Sequence, residues 1–201
     1  MNSKIQKLLF VVFFSLNSIV CISQIYNGQM ITKANDTLYV QIFIKGDMLF
    51  KTNKVLSIQE KIIVMDNGSS KNYFPKDLKS FNIQFDDDKP VTYDSVDDNI
   101  FAERFYSNKV KLFFKYVKVA TNTSPYFLIY RVFLVKNPNQ EKMIELIPNG
   151  FSRLITKNEM LAKFTDCKIS VDKINNDEIK IRNEEKLVEF IIDYEKNCFS
   201  N

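Results

Sequence analysis

From residue 26 to about residue 147 the chain is a succession of strand-length apolar runs separated by turn residues, which confines it to β-rich folds. The sharpest local signal is Asp66-Asn67-Gly68-Ser69, set between Lys61-Ile62-Ile63-Val64-Met65 and Lys71-Asn72-Tyr73-Phe74. Asn-Gly accepts the two positive φ angles of a tight hairpin turn, so these runs are expected to pair. Residues 37–44 are rich in β-branched and aromatic side chains, and Phe81-Asn82-Ile83-Gln84-Phe85 alternates apolar with polar, as a half-buried strand does. Two more hairpins are expected. Residues 100–106 turn through Ser107-Asn108 into 110–117, and residues 126–135 turn through Asn137-Pro138-Asn139 into 143–147. Antiparallel strands joined by short links make a meander, as a curved sheet or a small barrel.

After Pro148 the period becomes helical. Thr156-Lys157-Asn158-Glu159 has capping-box spacing, and Ile155 and Met160 stand where a hydrophobic staple would close. Met160, Leu161 and Phe164 then share one helical face. A second helix is expected from Asn183, with Glu184 and Glu185 in its first turn and Leu187, Val188, Ile191, Ile192 and Tyr194 as its apolar stripe. The expected fold class is α+β: an antiparallel β-meander followed by two or three C-terminal helices within about residues 152–198.

The N-terminus reads as an export signal over residues 1–24. Lys4 and Lys7 precede an apolar stretch, Leu8 onward to Val20, of signal-peptide and not membrane-span length. Ser23 suits the position before a cleavage site. A second reading places a lipid anchor on Cys21, although the branched Val20 before it fits lipoprotein processing poorly. The two outcomes differ: cleavage releases the remainder, residues 25–201, as a single β-rich domain, whereas lipidation tethers it to a membrane.

Composition narrows the chemistry. The chain has 28 basic and 24 acidic residues, and removing Lys4 and Lys7 with the signal leaves a net charge of +2. A field that weak does not gather phosphate backbones, so nucleic acid is not an expected partner. There is no histidine. Triads of the Ser-His or Cys-His type are thereby excluded, together with the commonest zinc ligand. No catalytic or cofactor motif is recognisable, and the chain reads as a non-enzyme without a cofactor.

Once Cys21 has left with the signal, Cys167 and Cys198 remain. An even count in an oxidising compartment reads as a disulfide. The loop it closes, about 30 residues, corresponds to about 3–4 kcal/mol in the chain-entropy treatment. Each cysteine follows an expected helix, so the bridge would pin two helix ends together.

Six aspartates, Asp86, Asp87, Asp88, Asp94, Asp97 and Asp98, fall within 13 residues. Oxygen-rich loops are what calcium requires, which makes Asp86, Asp88, Asp97 and Asp98 the only metal-ligand candidates. They lack EF-hand spacing, its turn glycine and its closing glutamate, and a solvated hairpin loop accounts for them without a metal. The aromatic strands from Phe101 to Phe133 are open to two readings also, core packing or the lining of a lipocalin-like cavity. Phe113 and Phe114 point to opposite faces, which would leave at least one of them exposed as part of a partner surface.

The order of elements resembles a group of uncharacterised exported β-rich proteins of Bacteroidetes-type bacteria. The residues that carry the resemblance are Ser23-Gln24, Asn35-Asp36-Thr37-Leu38, Tyr73-Phe74-Pro75-Lys76-Asp77-Leu78-Lys79-Ser80-Phe81, Asp166-Cys167 and Tyr194-Glu195-Lys196-Asn197-Cys198. It implies a Gram-negative envelope setting and carries no activity. The expectation is therefore an exported protein of the periplasm, outer membrane surface or medium that binds a protein or cell-envelope partner. Its membrane contact would be limited to the signal or an anchored Cys21. The alternative is a carrier of a small apolar ligand within a curled sheet.

Overall fold

The computed structural model describes residues 24–44, 51–85, 89–121, 124–138, 140–148 and 154–199. Residues 1–23, which hold Cys21 and nearly all of the expected export signal, and residues 86–88 lie outside these. The described strands form one antiparallel sheet, from β1 (Gln24–Thr32), β2 (Thr37–Ile44), β3 (Ile62–Asp66), β4 (Ser69–Tyr73) and β5 (Leu78–Ile83) to β6 (Val91–Ser95), β7 (Phe101–Ser107), β8 (Lys111–Thr121), β9 (Ser124–Lys136) and β10 (Ile144–Leu146). The four described helices are α1 (Lys51–Gln59), α2 (Lys157–Lys163), α3 (Lys168–Asn175) and α4 (Glu184–Cys198). The fold is α+β, with an antiparallel meander and C-terminal helices, and among the described residues the sheet does not close into a barrel.

The spatial order is β4-β3-β2-β1-β5-β6-β7-β8-β9-β10. Every neighbour is consecutive in sequence except one, because β5 returns to pair with β1 and not with β4. That return forces curvature. The Phe74–Asp77 link is a β-turn, with Asp77 N–H donating to the Phe74 carbonyl at 2.9 Å, so Tyr73 and Leu78 can be no more than about 15 Å apart. In a flat sheet the four strand spacings between β4 and β5 would span about 19 Å. The first half of the sheet must therefore curl. Gly28 marks how closely β1 and β5 approach: a Cβ there would stand 2.3 Å from the Asn82 carbonyl oxygen.

The curl encloses one core. Met30, Ile42, Ile62, Phe81, Ile83, Tyr93 and Phe101 fill it, with Val55 and Ile58 of α1. A second core lies between one face of β7–β10 and helices α2–α4 and includes Leu112, Phe114, Phe133, Val135, Phe164, Phe190 and Tyr194. The opposite face of the same strands buries Ala102, Phe113, Val132 and Leu134. Phe113 and Phe114 do point to opposite faces, yet both are buried. The expectation that one would be exposed fails because this part of the sheet is covered on both sides.

Local signals are realised where expected. Asn67 and Gly68 have φ of 46° and 83°, the pair of positive values that the β3–β4 turn demands. Thr156 caps α2 by accepting from Glu159 N–H, and Asn183 caps α4 by accepting from Lys186 N–H. Cys167 and Cys198 are joined, with Cα atoms 5.9 Å apart. The bridge links the N-cap of α3 to the last residue of α4, so Cys198 ends its helix and does not follow it. In the α4 stripe Ile192 is exposed and Phe190 is buried in its place.

Two elements, β6 and α1, depart from the expectation, and α3 completes the expected two or three C-terminal helices. β6 runs through the acidic segment, where a loop was expected. Tyr93 is held there by stacking on Phe81 at 5.0 Å, and the Asp94 carboxylate is bound by Arg104. Helix α1 has a polar sequence and weak periodicity, and burial of Val55 and Ile58 fixes it. Helix α3 buries Ser170 and Ile174 beside the disulfide.

Candidate functional site

Strands β8 and β9 are longer than their neighbours, and this gathers five exposed large apolar residues, Val119 and Phe127 to Tyr130, on one pair of strands. β7 pairs with β8 only as far as Phe114, and β10 pairs with β9 only from Phe133 to Val135. Beyond those limits β8 and β9 pair with each other alone, through Lys118↔Ile129, Val119↔Leu128 and Ala120↔Phe127. Among the described residues no third strand borders 117–121 or 124–132. A lone two-stranded ribbon is marginal in water, so this arm depends on its root.

The root is built around Tyr116. Gln59, buried at the end of α1, accepts from Tyr116 N–H at 2.6 Å and donates to the Tyr116 carbonyl at 3.0 Å. Its side-chain amide thus stands where the next strand would have been. Because both Tyr116 backbone groups face Gln59, Tyr116 and Arg131 form a non-hydrogen-bonded cross-strand pair, whose side chains lie close. Arg131 donates to the Tyr116 hydroxyl at 3.0 Å, covers the Phe114 ring at 4.4 Å and forms an ion pair with Glu184 in the first turn of α4. The arm is in this way clamped to a helix on each side of the sheet's length.

Past the root the apolar side chains meet solvent. Phe127 is 62% exposed and Leu128 61%, with Val119, Ile129 and Tyr130 also exposed. Strand alternation puts Phe127 and Ile129 on one face and Val119, Leu128 and Tyr130 on the other. Exposure therefore continues around the ribbon and is not confined to one side. Residues 111–136 contain five basic residues, Lys111, Lys115, Lys118, Arg131 and Lys136, and no aspartate or glutamate. Lys115 is paired with Glu145 across the sheet at 2.8 Å, and Lys136 donates to the carbonyls of Gln140 and Glu141. Lys118 is exposed, within the apolar part of the arm.

The other singled-out residues have structural partners. Asp94 is bound to Arg104, and Asp97 accepts from the N–H groups of Asn99 and Ile100 at 2.7 and 2.9 Å, which closes the β6–β7 turn. Asp98 is exposed, and Asp86 and Asp88 lie outside the described residues. Among the described residues no group of three potential ligands could hold a metal ion.

Two buried polar groups tie α4 to the sheet. Glu195 accepts from Val110 N–H at 3.1 Å, Asn108 Nδ2 at 2.6 Å and the Tyr106 hydroxyl at 3.3 Å. The Tyr194 hydroxyl accepts from Asn137 Nδ2 at 2.9 Å and donates to Asp166. Burial, and then the Asp166 carboxylate, push the Tyr194 phenol well above its ordinary range. Tyr93 is raised in the same way by burial and then by Glu103. Through these bonds the groups serve as fastenings. Hydropathy gave no sign of the arm, because Phe127-Leu128-Ile129-Tyr130 has the composition of the buried run that follows it. The one usable signal was the absence of acidic residues over 111–136.

Comparison with protein-family models, with curated proteins and with solved structures finds no match to this chain. None of the described helices is long and apolar enough to cross a membrane.

Proposed function

We propose that this is an exported, non-enzymatic envelope or secreted protein that docks on a protein or cell-envelope partner through the β8–β9 arm. The observation that carries the reading is the apolar exposure of Phe127 and Leu128 on a ribbon held out by a dedicated root. Scattered apolar residues on a surface need no explanation, but a clustered set on a projecting element is the usual mark of an interaction site. The filled cores on both faces of β7–β9 and the open sheet favour docking over carriage of a ligand in a lumen. The export signal over residues 1–24 and the resemblance to Bacteroidetes-type exported proteins support the compartment.

Fractionation of the native cell envelope tests the reading. The wild-type chain should remain with the envelope, and the Phe127→Ser/Leu128→Ser double variant should be released into the soluble fraction with an unchanged thermal melt. Equal retention of a folded double variant would exclude the arm as the docking element.

A further inference from the structure

We infer that the β9 edge of the arm pairs antiparallel with the same edge of a second copy of this chain, about a two-fold axis at Leu128. The inference goes beyond the docking reading. It concerns the backbone edge of the arm, whereas docking concerns its side-chain faces.

The edge follows from the parity of the ladder. Tyr116 and Arg131 are a non-hydrogen-bonded pair, so Lys118↔Ile129 and Ala120↔Phe127, further along the same ladder, are non-hydrogen-bonded too. The N–H and C=O groups of Phe127 and Ile129 therefore point away from β8, and among the described residues nothing pairs with them. Strand β10 does not reach them. Its ladder ends at Leu146↔Phe133, and in the same register Pro148, which has no N–H, would stand opposite Arg131.

Open edges are normally guarded by charge, proline, shortness or a covering group. The other edges of this sheet are guarded. Strand β4 is polar with Lys71 at its centre, β10 has three residues, and the free part of β8 is met by Gln59 and carries Lys118. Phe127 to Tyr130 has no charge, no proline and no register shift. Such an edge is a template for pairing, and here it is complementary to itself.

With the axis at Leu128, Phe127 of each copy stands opposite Ile129 of the other. Each such pair exchanges two hydrogen bonds, so the two pairs make four and satisfy every outward backbone group of both residues. Phe127 then meets Ile129 on one face and Leu128 meets Leu128 on the other, so the exposed side chains of both faces gain contacts together. Residues 124–130 carry no charge, and the copies meet without repulsion. One residue nearer the root, Phe127 would face Arg131 beside the end of β10. One residue nearer the tip, Ile129 would face Pro125, which cannot donate. The product is a four-stranded arm in place of two ribbons that are each marginal alone.

Sedimentation velocity of the purified full chain, as its cells process it, reads the pairing over a range of concentrations. The mass should rise from monomer to dimer. Ile129→Pro removes an outward N–H from each copy, two of the four bonds, and none within the ribbon. It should weaken the dimer by about 10-fold or more, with an unchanged melt where both forms are monomers. Leu128→Cys supplies a second reading. Its Cα atoms would stand about 4.5 Å apart across the axis, within disulfide reach, so it should oxidise to a covalent dimer far faster than Tyr39→Cys, exposed on β2. A wild type that is monomeric at every concentration, a folded Ile129→Pro variant that dimerises as tightly, or equal oxidation at positions 128 and 39 would overturn the inference. Pairing is read on purified protein and docking on native envelopes, so the failure of one is distinguishable from the failure of the other.

Discussion

The side-chain amide of Gln59 occupies the backbone hydrogen-bonding groups of Tyr116, donating to its carbonyl and accepting from its N–H as a neighbouring strand would. A helix residue thereby finishes a sheet edge at the point where β7 stops accompanying β8. Everything beyond that point on the arm is held by this contact on one strand and by the Arg131–Glu184 ion pair on the other.

Replacing Gln59 by Leu keeps the volume but leaves both Tyr116 groups without a partner. A loss of about 1–3 kcal/mol in unfolding free energy is expected, measured by urea denaturation. Amide exchange at Tyr116 and along 117–120 should accelerate more than exchange in β1 or β5.

The β3–β4 turn and the two caps could be anticipated because each depends on residues close in sequence. Asn67-Gly68 sets its own turn, and Thr156 and Asn183 reach backbone groups three residues away. The return of β5 to β1, the strand through the aspartates and the helix ending in Gln59 depend on partners more than 40 residues distant or on the sum of the packing. Met30 against Phe81 and Gln59 against Tyr116 are such cases. The arm was hidden for a related reason. Residues 127–130 and 132–135 are equally apolar, and only the lengths of β7 and β10 decide that the first group is exposed and the second buried.

The disulfide joins α3 to the end of α4, which carries the Glu195 and Tyr194 fastenings. A Cys167→Ala/Cys198→Ala variant should lose about 3–4 kcal/mol relative to the oxidised protein. Chemical denaturation with and without a reductant measures it: the reductant should lower the stability of the wild type toward that of the variant and leave the variant unchanged.

Tyr93 and Tyr194 both titrate higher in the folded chain than the ordinary phenol value near 10. The unfolded chain releases these protons first, so the folded state holds more protons in alkali and stability falls as pH rises. The stabilisation is fully present below about pH 10 and is lost above it. Unfolding curves collected between neutral and strongly alkaline pH should be flat at first and then decline, and Tyr194→Phe should reduce the slope of the decline. A slope unchanged in Tyr194→Phe would show that burial and the Asp166 contact do not hold the phenol neutral.

Glu195 satisfies three donors from the β7–β8 turn at once. Glu195→Ala leaves the buried Val110 N–H without its acceptor, and a cost of about 1–3 kcal/mol is expected. Glu195→Gln retains an acceptor oxygen and should recover part of it. Thermal melts of the two variants beside the wild type decide the order.

The central claim is tested most directly by a photoactivatable residue placed at Leu128 and, separately, at Tyr39, which is 82% exposed on β2 in the other half of the sheet. Irradiation of cells in which each form is exported should give an adduct, lipid or protein, from position 128 and little from position 39. Equal labelling at both positions, or labelling at position 39 alone, would contradict docking through the β8–β9 arm.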